Sequence, residues 1–168
     1  MKNLLAPIDF SDVTDRVIDT AEQMARAFGA KLWLIHCVKE HPVFAPMEEV
    51  PLVLPDTDMA MSERHPEQYQ ELVTLTSALK AKGIDAEALF VVGIPADEIL
   101  FVADQYQIDL ILMGSHGHGA LYEMVMGSVA QAVLHQTNRL TLIVPSEIRK
   151  GTTPVVADTW EEPMATPY

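Results

Sequence analysis

Short apolar runs alternate with amphipathic stretches along most of the chain. Mainly apolar runs predict five buried strands, at residues 4–8, 32–38, 86–92, 110–113 and 140–144. Apolar residues at helical spacing predict four helices: one capped by Ser11 or Asp12 and ended by Gly29, one from Pro66 to Gly83, one that begins at Pro95 or Ala96, and one at 128–136. The spacing places Phe28 and Tyr106 among the inward-facing residues. Because strands and helices alternate, we expect an α/β fold around a parallel sheet.

Two stretches lack this periodicity. Residues 39–65 contain four prolines and six acidic residues, and a loop of that length inside a domain is either functional or disordered. Residues after Ser146 are rich in threonine, proline and acidic side chains. We therefore expect one domain over residues 1–146 and an extended C-terminal tail over residues 147–168.

Composition narrows the range of partners and compartments. The 168 residues carry a formal charge of -13, from 11 basic and 24 acidic side chains, which disfavours nucleic acid and anionic membranes as partners. The single cysteine, Cys37, is compatible with a reducing compartment. No run approaches the roughly 18 apolar residues of a membrane helix, and the N-terminal apolar run is too short for a signal peptide. We expect a cytoplasmic protein without membrane insertion.

A glycine-rich run follows the fourth predicted strand and carries the clearest functional signal. Its sequence is Met113-Gly114-Ser115-His116-Gly117-His118-Gly119, and Gly127-Ser128 then opens a helix. Glycines allow close backbone approach to a ligand, and the N–H groups at a helix start attract anions. These features suit a phosphate-binding loop; the alternative is that the segment is only a turn between a strand and a helix. The chain has no Gly-Lys dipeptide for a P-loop, and its first strand–helix turn lacks the glycines of a dinucleotide fingerprint.

The spacing Gly114-x2-Gly117-x9-Gly127-Ser128 resembles the nucleotide-binding signature of the universal stress protein family. Four other segments resemble that family's strands and turns, at residues 4–11, 34–38, 91–96 and 140–145, so the resemblance covers roughly residues 1–146. It implies a Rossmann-like, three-layer α/β sandwich with a five-stranded parallel sheet of order 3-2-1-4-5. It also implies an adenine-nucleotide site in the crevice where that strand order reverses.

The resemblance implies a set of nucleotide-contacting residues: Pro7, Ile8, Asp9, Cys37, Met113, Gly114, Gly117, His118, Gly127, Ser128, Val129 and Ala130. The implied ligand is ATP, or ADP or AMP, with Mg²⁺ or Mn²⁺ held through the phosphates. Asp9 would accept hydrogen bonds from the ribose or the adenine amino group, or it would support the start of the first helix. The backbone near Cys37 would meet the adenine edge, with the side chain as a small apolar wall and not a reactive thiol.

Histidines give weaker signals. His118 stands where the family often has arginine or another polar residue, so any positive charge there depends on pH. His116 and His118 together could bind a metal only if a third ligand converged, and we predict no resident metal site. His36 lies inside a predicted strand, which favours a hydrogen-bonded core histidine. No serine elbow or oriented histidine base predicts a catalytic site.

Three functions remain open from the sequence. A regulatory or stress-response nucleotide sensor is the reading that the resemblance favours. A slow Mg²⁺-dependent ATPase or phosphotransferase would use the same loop, and a protein-interaction module would work without nucleotide, through residues 39–65 or the tail. Residues 140–144 would form an uncovered apolar edge strand, which predicts a homodimer through that strand or a cover made by the tail.

Overall fold

The computed structural model describes residues 1–39, 64–115 and 126–146. Within them the chain forms five strands and four helices, in the order β1 Asn3–Ile8, α1 Thr14–Phe28, β2 Lys31–Val38, α2 Pro66–Ala81, β3 Ala86–Val92, α3 Pro95–Gln105, β4 Leu110–Gly114, α4 Ser128–Gln136 and β5 Leu140–Val144. Across the described residues, no helix has both the length and the apolar character needed to cross a membrane.

All five strands join one parallel sheet of order β3-β2-β1-β4-β5, so the predicted order is confirmed. β1 lies at the centre and pairs with β2 over its whole length, from Asn3↔Lys31 to Ile8↔His36. Because successive side chains of a strand point to opposite faces, each central strand buries residues in two cores. The order reverses between β1 and β4, which places a crevice at their carboxyl ends.

One core lies between the sheet and helices α1 and α2, and the other between the sheet and helices α3 and α4. Leu4 and Leu34 belong to the first core, whereas Leu5 and Ile35 belong to the second, and all four are at most 1% exposed. This alternation gives the three-layer sandwich that the sequence predicts.

Two local expectations about the helices were wrong. Neither Ser11 nor Asp12 caps α1: the helix begins at Thr14, whose N–H donates to the Ser11 carbonyl at 3.0 Å, and its N-cap, Val13, makes no side-chain capping bond. Phe28, the last residue of α1, is 48% exposed and does not face the core as expected. Gly29 ends α1 in the left-handed conformation, as predicted (φ +58°).

Tyr106 lies just after α3 and is 38% exposed, so it is not fully inward-facing as expected. Its ring instead packs against Trp33, with centroids 4.2 Å apart and the ring planes tilted by 41°. The contact places Tyr106 at the rim of the second core.

Candidate functional site

Proline at position 7 separates β1 from β4 at the end of the sheet where the crevice lies. The carbonyl of Asn3 accepts a hydrogen bond from Asp109 N–H, so the alternate residues Leu5 and Pro7 also direct their backbone groups toward β4. Proline has no N–H to donate. The paired register between the strands ends at Leu5↔Ile111, although β1 continues to Ile8 and β4 to Gly114. The two carboxyl ends are therefore not joined by the ladder.

Backbone groups of neighbouring strands face this gap from both sides. Ser115 N–H donates to Val144 on β5, so Gly114, one residue earlier, directs its backbone toward β1. On the other side, Lys31 N–H donates to Lys2, and the same alternation directs the backbone of Cys37 toward β1. The register of β1 with β2 has ended by then, at Ile8↔His36. Cys37 and Gly114 thus flank the end of β1.

A tight turn leaves β1 between these two residues. The Oδ1 atom of Asp9 accepts hydrogen bonds from the Ser11 hydroxyl at 2.6 Å and from the Ser11 N–H at 3.2 Å. Phe10, between them, has a left-handed backbone with φ +58°, which is uncommon for a residue with a bulky side chain. The bonds support the alternative that Asp9 shapes the start of the first helix, and its contact with a ligand stays a prediction.

Ser115 brings the two ends of the glycine-rich segment together. Its N–H donates to the Val144 carbonyl at 2.8 Å, its carbonyl accepts from Gly127 N–H at 2.8 Å, and its hydroxyl accepts from Ser146 N–H at 3.3 Å. Gly114 and Gly127, which are 13 positions apart in the sequence, therefore lie at one junction of β4, α4 and β5. The sequence gives no signal for this role of Ser115.

The start of α4 presents backbone donors at this junction. The first bond inside the helix runs from Gln131 N–H to the Gly127 carbonyl, so the N–H groups of Ser128, Val129 and Ala130 have no intrahelical acceptor. No side chain caps this end of the helix within the described part of the chain. Together with the helix dipole, these donors suit an anion.

Burial separates the candidate residues into two groups. Ile8, Met113 and Ala130 are 6%, 4% and 3% exposed, so their side chains belong to the cores and only their backbone is placed to meet a ligand. Pro7, Asp9, Cys37, Gly114, Gly127 and Val129 are partly exposed, and Ser128 is exposed. Gly117 and His118 lie outside the described residues, as do His116, residues 40–63 of the long loop and the tail.

The Cys37 side chain is a small apolar group and not a nucleophile. Burial raises the pKa of its thiol to about 11, and the nearby Glu98 carboxylate adds to the shift. The thiol lies 3.6 Å from the Gly93 carbonyl, to which it donates. At neutral pH it is protonated, and a thiol reacts as its thiolate.

Asp9 and Cys37 are the ionisable residues among the candidates that the structure describes. No group of three or more histidine, cysteine or carboxylate side chains within the described residues is placed to hold a metal ion.

The chain has counterparts among known proteins. The chain matches the model of the universal stress protein family over residues 1–145. Universal stress protein YxiE of Bacillus subtilis is 31% identical over 143 residues, which cover 84% of this chain and 97% of that protein. Universal stress protein MJ0577 of Methanocaldococcus jannaschii is 26% identical over 152 residues, 85% of this chain and 94% of the relative.

Solved structures agree with the sequence matches. A structure of MJ0577 superposes with a TM-score of 0.69 and covers 86% of this chain and 95% of its own. A universal stress protein solved in complex with cAMP is 26% identical, superposes with a TM-score of 0.63, and covers 87% of this chain and 98% of its own.

Proposed function

This chain belongs to the universal stress protein family, and on that premise we propose that it binds an adenine nucleotide, ATP first, as a regulatory or stress-response sensor. The observation that carries the proposal is the gap between the carboxyl ends of β1 and β4, which opens where Pro7 interrupts the ladder. Backbone groups of Cys37 and Gly114 face this gap, and the start of α4 supplies donors beside it. The relative solved with cAMP adds support for an adenine ligand in this fold.

The proposed binding mode relies on backbone atoms because the chain is strongly acidic. Phosphates would lie against Gly114, Gly117, Gly127 and the N–H groups of the first turn of α4, with His118 beside them. Mg²⁺ or Mn²⁺ would be held through the phosphates and would offset the formal charge of -13.

The adenosine end would lie at the end of β1. The base would meet the backbone of Cys37, the Asp9 carboxylate would accept from a ribose hydroxyl or the adenine amino group, and Pro7, Ile8 and Met113 would border it. The two bonds from Ser11 fix one oxygen of Asp9 in place, so the carboxylate needs little reorganisation to accept a ligand.

Two measurements test the proposal. Mass spectrometry of material released from freshly purified, denatured protein identifies any nucleotide that copurifies, and calorimetric titration with ATP, ADP, AMP and cAMP, each with and without Mg²⁺, ranks the ligands. We expect saturable binding of at least one adenine nucleotide and weaker binding of GTP. Titrations without heat at millimolar nucleotide would refute the proposal and favour a nucleotide-independent interaction module. Phosphate release that scales with protein concentration would identify a slow ATPase.

We also propose a homodimer through β5, within a domain that spans residues 1–146. β5 pairs with β4 on one side and is an edge strand, and Leu140 is 61% exposed. The bond from Ser115 N–H to the Val144 carbonyl shows that Val144 faces β4, so the alternate residues Thr141 and Ile143 direct their backbone groups to the open edge. An apolar edge with unpaired backbone groups favours pairing with a second copy across a twofold axis.

Thr141→Pro tests the dimer without breaking the ladder to β4. It removes a donor from the open edge, where proline is tolerated, and Thr141→Val keeps that donor as the matched control. Light scattering at tens of micromolar should give a dimer for the wild type and Thr141→Val, and a monomer for Thr141→Pro. A wild-type monomer that aggregates once residues 147–168 are deleted would instead identify the tail as the cover of the edge.

A further inference from the structure

A buried histidine lies directly behind the turn that carries Asp9. His36 is 5% exposed and stands opposite Ile8 in the β1–β2 register, on the side of the sheet that α1 and α2 cover. Its Nδ1 atom lies 2.9 Å from the Ile8 carbonyl oxygen. Because a carbonyl only accepts hydrogen bonds, Nδ1 carries the proton and donates it. The acceptor belongs to the residue that precedes Asp9.

The imidazole also packs against the strained residue of the turn. The ring centroids of His36 and Phe10 are 4.5 Å apart, and Phe90 on β3 borders the other side at 5.5 Å. Phe10 holds φ +58°, a conformation that costs a bulky residue about 1–3 kcal/mol and persists only where its surroundings enforce it. His36 thus contacts the turn at two points, through the Ile8 carbonyl and through the Phe10 ring.

Packing alone does not account for a histidine at this position. The other ring nitrogen, Nε2, is buried and has no hydrogen-bond partner in the part of the chain that the structure describes. A leucine would fill a similar space without burying an unpaired polar atom, which costs roughly 1–3 kcal/mol. The bond from Nδ1 to Ile8 is the interaction that a leucine could not make.

We propose that His36 is a positioning residue for the nucleotide site: it holds the Asp9–Phe10–Ser11 turn in its ligand-accepting conformation without touching the ligand itself. The proposal rests on the function proposed above. The effect of His36 on the turn can be tested without any nucleotide. The Ser11 N–H donates to Asp9, so hydrogen exchange at this amide reports the order of the turn in the ligand-free protein.

Two variants separate the donor from the bulk of the ring. His36→Asn keeps a donor near the position of Nδ1, whereas His36→Leu fills the space without one. We expect His36→Leu to weaken ATP binding about fivefold to tenfold, the effect of one neutral hydrogen bond, and to increase hydrogen exchange at the Ser11 amide. His36→Asn should recover most of both properties. Thermal unfolding of each variant identifies any that does not fold.

A measurement on the wild type does not depend on the variants. Nitrogen NMR of the imidazole should show a protonated Nδ1 and an unprotonated Nε2 at neutral pH, and both signals should shift when ATP is added. The opposite tautomer, or Ser11 exchange and ATP affinity that are equal in wild type and His36→Leu, would overturn the proposal. If the wild type binds no nucleotide while Ser11 protection still depends on the His36 donor, the proposed function fails and only the turn-holding role stands.

Discussion

Replacing Gly127 with valine tests the proposed phosphate site most directly. Gly127 has φ −58° and ψ 147°, angles that residues with side chains adopt readily, so valine causes no backbone strain there. Its N–H can still donate to the Ser115 carbonyl. The new side chain would stand beside the N–H groups of Ser128, Val129 and Ala130, where we expect phosphate oxygens.

The size of the effect follows from the number of donors at the helix start. A hydrogen bond to a charged group contributes about 1.5–3 kcal/mol. If valine keeps phosphate from two of the three donors, the loss is at least about 3 kcal/mol, which corresponds to a more than hundredfold increase in the dissociation constant. Gly127→Ala, with a smaller side chain, should give an intermediate value.

Calorimetric titration with ATP and Mg²⁺ measures this change, and thermal unfolding verifies that each variant folds. Gly29→Ala is the matched control, because Gly29 lies at the far end of α1 and away from the crevice. That variant should bind ATP as the wild type does. A folded Gly127→Val protein with wild-type affinity would refute the assignment of this helix start to phosphate.

Three further predictions concern stability and reactivity. Gly29→Ala should lower the free energy of unfolding by about 1 kcal/mol in urea titrations, from backbone strain alone, because φ is +58° and no atom lies within 4 Å of the new Cβ; unchanged stability would contradict this. Burial lowers the pKa of His36 below 6.5, although Asp9 and Glu71 oppose the shift and His65 adds to it. The unfolded protein therefore binds more protons at His36 than the folded protein, so the contribution of His36 to the free energy of unfolding is complete above pH 6.5 and declines as the pH falls toward the folded-state pKa. His36→Asn should flatten that decline. Curves of unfolding free energy against pH that run parallel for the wild type and His36→Asn would show that His36 does not cause the decline. The Cys37 thiol, with a pKa of about 11, should react with iodoacetamide far more slowly at pH 7.5 than a free cysteine, and equal rates would show an exposed thiolate.

The strands were predictable because their apolar runs are separated by clear breakers. The strands Ala86–Val92 and Leu140–Val144 have the expected bounds, as does the helix Ser128–Gln136. The helix starts that proline fixes, at Pro66 and Pro95, were also found, because proline suits the first helical position. The order of the strands came from the family resemblance, since periodicity carries no information about which strands are neighbours.

The hydrogen bonds around the candidate site were not predictable from the sequence. Ser11 has the chemistry of a helix cap, yet its hydroxyl donates to Asp9, a competition between two local acceptors that sequence does not decide. The left-handed Phe10 gives no sequence signal. His36 did give a sequence signal, because it is a polar residue inside an apolar strand. We expected a hydrogen-bonded histidine, but within the described residues only Nδ1 has a hydrogen-bond partner and Nε2 has none.

The hydrogen bond from Gly127 N–H to the Ser115 carbonyl joins the start of α4 to the end of β4 through backbone atoms. The chain between residues 115 and 127 therefore begins and ends at two positions that this bond fixes. Doubling the length of a loop with fixed ends costs only about 0.6 kcal/mol in closure entropy. We therefore expect the chain between residues 115 and 127 to tolerate insertions. A reporter peptide could be placed there, or a segment from a relative could replace it to alter ligand preference while the scaffold is kept.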